Sequence, residues 1–195
     1  LFDLRNITFP RLVYGLLGLV LLSVCAAHSS FSAERVRAGA SDLKSAYIFN
    51  FIRFTEWPEL ANASRSRGSA VRLNVLNDSE VHSIMQSIAN KAVAKQIGLS
   101  VESCSKDSCV QGASALFIGK SDSGDYQRLL KLAAGRPVLT ISDIPGFAKQ
   151  GGMIEIKYHN KKLTFVVNVQ AVKHAGLYIS AQLLQLGEIV GRDNE

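Results

Sequence analysis

Pro137-Val138-Leu139-Thr140-Ile141-Ser142-Asp143-Ile144-Pro145-Gly146-Phe147-Ala148-Lys149-Gln150-Gly151-Gly152-Met153-Ile154 is the stretch whose reading decides the fold. Pro137–Ile141 is an apolar run that reads as a buried strand. Pro145-Gly146 and Gly151-Gly152 are strong turn punctuators. Two more strand-like runs follow, Met153–Tyr158 and Leu163–Val169. An acidic residue, a lone Phe and a Gly pair therefore sit at the mouth of a sheet, where open α/β sheets take ligands and partners. A plain turn is the other reading of the same residues.

Upstream, strands and helices alternate. Val71–Leu76 has the alternation of a half-buried strand, and Asn77-Asp78-Ser79 offers a cap for a helix over Glu80–Asn90, striped by Val81, Ile84, Met85 and Ile88. Leu99–Glu102 and Ala115–Ile118 read as strands. Ser123–Ala134 reads as a helix that Gly135 stops. This order predicts a parallel, Rossmann-like sheet. Downstream, His159-Asn160-Lys161-Lys162 joins the last two strands into an antiparallel hairpin. The spacing of Val172, Ala175, Ile179, Leu183 and Leu186 predicts a final helix over Ala171–Val190.

At the other end, Ser41-Asp42 can cap a helix over Lys44–Glu56, stopped by Pro58. That helix is apolar nearly all round, so it is either wholly buried or meets another chain. Trp57 reads as a packing anchor and Glu59–Ala70 as a loop. Internal repeats and interdomain linkers are absent. The expected fold is a single Rossmann-like three-layer α/β domain over residues 41–190, a mostly parallel sheet with a C-terminal antiparallel hairpin.

Residues 1–33 read as a cleaved signal peptide. Arg5 and Arg11 precede the uncharged run Leu12–Ala27, and small residues follow. The run is shorter than the roughly 20 residues a spanning helix needs. An uncleaved anchor is the alternative, and Leu22-Ser23-Val24-Cys25 resembles a lipoprotein box with Val24 where a small residue is wanted. The expected location is the periplasm. Losing Arg5, Arg11 and Asp3 takes the basic and acidic residues from 22 and 16 to 20 and 15, a net charge of +5. The basic residues are scattered without interleaved aromatics, which argues against a nucleic-acid partner. Cys104 and Cys109 remain, five apart in a polar segment. In an oxidising compartment they are expected to pair as a local disulfide, either a staple or a redox switch.

Catalytic, cofactor and metal signatures are not found. Gly119-Lys120-Ser121 lacks the upstream Gly of a phosphate loop, and Asn77-Asp78-Ser79 stands where a dinucleotide site wants glycines. No nucleophile elbow appears. Asp143 reads as a turn cap rather than a general base, and the cysteine spacing is wrong for zinc. The chain is expected not to be an enzyme.

Two blocks carry a resemblance. The first is Lys44-Ser45-Ala46-Tyr47-Ile48-Phe49-Asn50-Phe51, followed by Phe54, Glu56, Trp57 and Pro58. The second is Ser142–Ile154, followed by Phe165, Asn168, Ala175-Gly176-Leu177-Tyr178-Ile179-Ser180 and Leu183-Leu184. Together they resemble the YfiR-like family of exported bacterial proteins, across about Ser41 to Val190. The resemblance implies a compact Rossmann-like domain, often a homodimer. It also implies a periplasmic repressor that binds a membrane-bound diguanylate cyclase and keeps cyclic-di-GMP and biofilm output low. Some members carry two cysteine pairs where this chain has one.

Ser142, Asp143, Phe147, Gly151 and Gly152 are the expected partner-binding residues. Phe147 has two readings, a plug folded under its turn or an aromatic anchor offered to the partner. A small-ligand-binding envelope protein with a cleft near Asp143 and Phe147 is the second functional reading.

Overall fold

Short apolar runs become the strands of one seven-stranded sheet, in the order β3-β2-β4-β5-β6-β7-β9. The strands are β2 (Arg72–Leu76), β3 (Ser100–Cys104), β4 (Ala115–Ile118), β5 (Leu139–Ser142), β6 (Ile154–His159), β7 (Lys162–Asn168) and β9 (Glu188–Val190). Neighbours run parallel except β6 and β7, the antiparallel hairpin. A second, two-stranded antiparallel sheet joins β1 (Thr55–Glu56) to β8 (Tyr178–Ile179). This computed structural model describes residues 39–58, 70–91, 96–122, 124–159 and 162–191. The expected signal peptide, residues 1–33, lies outside the described residues, as do most of the Glu59–Ala70 loop and the hairpin tip at residues 160–161.

The first helix, α1, covers residues 39–53. It buries Ile48, Phe51 and Ile52 against the inward side chains Leu73, Val75, Phe117, Ile141 and Phe165. Tyr47, Phe49 and Phe54 are partly buried against the same cluster while Leu43 is 37% exposed, so the helix is largely but not wholly buried within the chain. It stops at residue 53, short of the expected Glu56, because Thr55–Glu56 leave the helix to pair with β8. Trp57 is buried and donates its indole N–H to the Ser114 carbonyl. The second helix, α2 (Ser79–Ala89), starts where the sequence offers a cap, the Asp78 carboxylate accepting from the Val81 N–H. Val81 and Met85 join α1 in the same apolar cluster.

The opposite face of the sheet carries the other parity of the strand residues. Leu116 and Ile118 pack there under α3 (Tyr126–Ala133), with Tyr126, Leu129 and Ala133 inward. Two helical layers around a mostly parallel sheet are thus the three-layer α/β arrangement expected.

The long helix expected over Ala171–Val190 does not form. Asn168 caps a short helix, α4 (Val169–His174), through its side chain. Gly176 then takes a left-handed φ of 67°, which ends the helix without steric cost. The chain continues through β8, the four-residue α5 (Ala181–Leu184) capped by Ser180, and β9. Val172, Ala175 and Leu183 do point inward while Leu186 is exposed, but apolar spacing cannot show competing backbone partners. Phe54 and the outer edge of β7 supply those partners: the Ser180 N–H reaches the Phe54 carbonyl, and β9 pairs with Val166–Asn168. Gly187 permits this return, since a Cβ there would lie 2.4 Å from the Phe165 ring.

Candidate functional site

Parallel β5 and β6 must be joined by a crossover, which ordinarily takes a dozen or more residues and a helix. Here residues 143–153 make the connection with only a 3₁₀ turn, Ala148–Gln150. It is short because β6 starts where β5 ends, Ile141 opposite Ile154 and Ser142 opposite Glu155. The segment expected to hang at the sheet's mouth therefore folds back across one face of the sheet, in place of a covering helix.

Phe147 fills the role that a helix's apolar stripe would fill. It is 0% exposed, packed with Leu116, Ile118, Ile144 and Leu129, its ring centroid 5.7 Å from that of Tyr126. Phe147 thus takes the plug reading. Gly152 passes directly over the ring; a Cβ there would sit 2.1 Å from it. Gly151 holds φ 98° at the end of the 3₁₀ turn, a backbone state that favours glycine.

Polar groups pin this crossover from below. Ser142 Oγ donates to the Ile118 carbonyl and accepts from the Ile144 N–H. The Glu155 carboxylate, buried on β6, accepts the Gly146 N–H at Oε1 (3.0 Å) and the Ala148 N–H at Oε2 (3.2 Å). Asn168 Nδ2 donates to the Ala148 carbonyl, while its Oδ1 caps α4. The Tyr126 hydroxyl donates to Gln150 Oε1 at 2.5 Å. Of the five expected partner-binding residues, Ser142, Phe147 and Gly152 are buried, Asp143 is partly buried, and Gly151 is exposed. The outward face of the crossover is made by Pro145, Lys149, Gln150 and Gly151.

Asp143 starts the crossover at the carboxyl end of β5, where an ion cluster forms. Lys44 Nζ of α1 lies 2.6 Å from Asp143 Oδ2 and 3.2 Å from Asp78 Oδ2, and 5.6 Å from the centre of the Phe117 ring. Burial pulls the Lys44 pKa down, but hydrogen bonding and charge from Asp143, then Asp78, outweigh it and raise the pKa above 10.5. Asp143 Oδ1 is buried without a hydrogen-bond partner. Between β2 and β4, the successive connections leave the sheet in opposite directions, the position where a dinucleotide would dock. Two open pockets flank it, one lined by Asp78, Ser79, His82 and Ser121 and the other by Lys106, Asp107 and Arg128. Gly119 presses on the Asn77 carbonyl, and Ser121 Oγ donates to that same oxygen at 2.8 Å. Among the described residues, no group of three or more His, Cys, Asp or Glu could hold a metal ion.

Cys104 and Cys109 are joined as a disulfide across the turn that follows β3. Cys109 is fully buried, and Asn74 Nδ2 donates to its carbonyl at 2.9 Å. Asp107 in the same turn pairs with Arg128 of α3. Replacing both cysteines by serine is expected to cost about 2 kcal/mol, the entropy of closing so short a loop. Chemical denaturation of the oxidised parent and the double variant measures it, and a loss well above that figure would show the bond holding more than its own loop.

Asp143 and Phe147 stand out in the sequence, whereas Glu155 does not. In Met153–Tyr158 the charges at Glu155 and Lys157 alternate with apolar residues, which is the signature of a solvent face. Only the crossover folded over that face makes Glu155 interior. Lys44 and Asn168 carry no local signal of their roles, because Asp78, Asp143 and Ala148, which they engage, lie far away in sequence.

No curated protein matches the chain. A family model described as YfiR/HmsC-like matches residues 41–188, which includes α1, the ion cluster, the crossover and the disulfide. Membership implies a periplasmic regulator of diguanylate cyclase signalling, a regulatory and non-catalytic role exercised on a membrane signalling protein. The chain belongs to the YfiR/HmsC-like family.

Proposed function

We propose that this protein is exported by a cleaved signal peptide in residues 1–33, and that its 41–190 domain binds a membrane-bound diguanylate cyclase from the periplasmic side. Binding represses the cyclase and lowers cyclic-di-GMP. The partner contact includes the crossover that begins at Ser142 and Asp143 and ends at Gly151 and Gly152, met on its outward face. Phe147 supports that face from beneath rather than touching the partner.

The observation that carries this reading is the family match over 41–188. The ion cluster is compatible with it: Asp78 and Asp143 are engaged by Lys44, which ties α1 to the ends of β2 and β5. A loop held by hydrogen bonds to Ser142, Glu155 and Asn168 suits recognition between proteins, because little ordering entropy is lost on binding.

Deleting the gene is expected to raise cyclic-di-GMP and surface attachment, and expression of the exported protein is expected to restore both. Purified protein should capture the periplasmic region of the cyclase. Cyclic-di-GMP that stays level in the deletion strain, at rest and under envelope stress, would remove the cyclase from this reading.

A further inference from the structure

Glu155 stands out among the charged groups. It is 4% exposed, and no Lys or Arg pairs with it among the described residues. Burying a carboxylate is expensive unless hydrogen bonds compensate it. Here the compensation comes from the Gly146 and Ala148 N–H groups, one to each oxygen. The dependence is mutual. Without the crossover, Glu155 would lie on a bare sheet face; without Glu155, two buried or half-buried N–H groups would have no acceptor. Hydrogen bonds to an ionised acceptor are about twice as strong as neutral ones. An apolar residue would serve better if covering the sheet were the only requirement, since Phe147 already excludes water there.

We propose that Glu155 is a positioning residue for partner binding: its carboxylate templates the turn at Gly146–Ala148, and so sets the outward face of Pro145, Lys149, Gln150 and Gly151 before the partner arrives. This rests on the reading of the crossover as the contact surface. The geometry is specific. The two donors flank Phe147 in sequence, so one carboxylate fixes the backbone on both sides of the plug. Asn168 closes the arrangement by holding the Ala148 carbonyl at 2.8 Å, so residue 148 is gripped through both of its backbone polar groups. A Gln in place of Glu155 keeps the shape but supplies one acceptor and one donor, leaving one of the two N–H groups facing an amide N–H.

The test is native-state hydrogen exchange on the whole protein, paired with capture of the cyclase's periplasmic region. In the unmutated protein the Gly146 and Ala148 amides should both be protected. In Glu155→Gln the exchange of at least one of them, the one left facing the amide N–H, should quicken roughly ten- to hundred-fold, while amides of β2 and β4 keep their rates. Capture should weaken by a similar factor. Unprotected Gly146 and Ala148 amides in the unmutated protein would overturn the proposal, even if Glu155→Gln failed to accumulate. So would unchanged loop exchange in the variant, or a loosened loop with undiminished capture. Lys149→Glu separates the two ideas, because it changes the outward face and leaves both carboxylate bonds in place. Full capture by Lys149→Glu together with a protected loop would take the contact away from this face, while the exchange arm would still report whether Glu155 holds the turn.

Discussion

Truncation of Phe147 to alanine is expected to destabilise the domain by about 3–5 kcal/mol, the cost of emptying a fully buried aromatic site. For a domain of this length each kcal/mol moves the melting temperature by roughly 2–4 °C, so a drop on the order of 10 °C should appear in calorimetry. The value should fall in the upper part of the range because the site cannot collapse easily. Gly152 lies against one side of the ring, and Leu116 and Ile118 of the rigid central strand lie in the same cluster. Partner capture per folded molecule should fall as well, since the crossover rests on this ring. A melting temperature within a degree or two of the parent would return Phe147 to the role of exposed anchor. Gly152→Ala should give a related loss by the opposite route, overpacking, because the added methyl enters the space the ring occupies.

The same residues show how far the sequence carries. The alternation of apolar runs and helical stripes was enough for the parallel strands β2 to β5, for α2 and α3, and for the hairpin, because each of those elements is specified by its own residues. The segment after Asn168 was not legible in that way. Its apolar spacing suits a helix, but β8 and β9 exist because β1 and β7 present unpaired backbone nearby, and no local pattern records that. The crossover lies between these cases. Its turns, its Phe and its place after a buried strand could be read directly. Its direction could not, because it depends on β6 running parallel to β5, and two adjacent strands with a turn-rich joint read equally well as a hairpin. Once that direction is known, the burial of Phe147 and Glu155 follows, since both sit where a helix would otherwise cover the sheet.

Replacing Lys44 with methionine is expected to cost about 2–3 kcal/mol at neutral pH. Breaking a fully buried ion pair costs more, about 3–5 kcal/mol, and here the side chains are each 17–18% exposed, so water relieves part of the loss. What remains is large because one ammonium serves two carboxylates, and its removal leaves Asp78 and Asp143 facing each other across the end of the sheet. The pH dependence follows from the raised Lys44 pKa. Folding strengthens proton binding at this amine, so the contribution is complete below the unfolded value of 10.5 and is lost as pH climbs through the higher folded value. The stability gap between the parent and Lys44→Met should therefore stay constant from neutral pH to about pH 9 and close only in the alkaline range above 10.5. Urea titrations of both proteins across that range measure it. A gap that narrows before pH 9 would mean the amine is not held by the two carboxylates. Because Asp143 opens the crossover and Lys44 lies on α1, the variant should also loosen the first residues of the crossover, seen as faster exchange at Ile144, while Ala148 stays protected by Glu155.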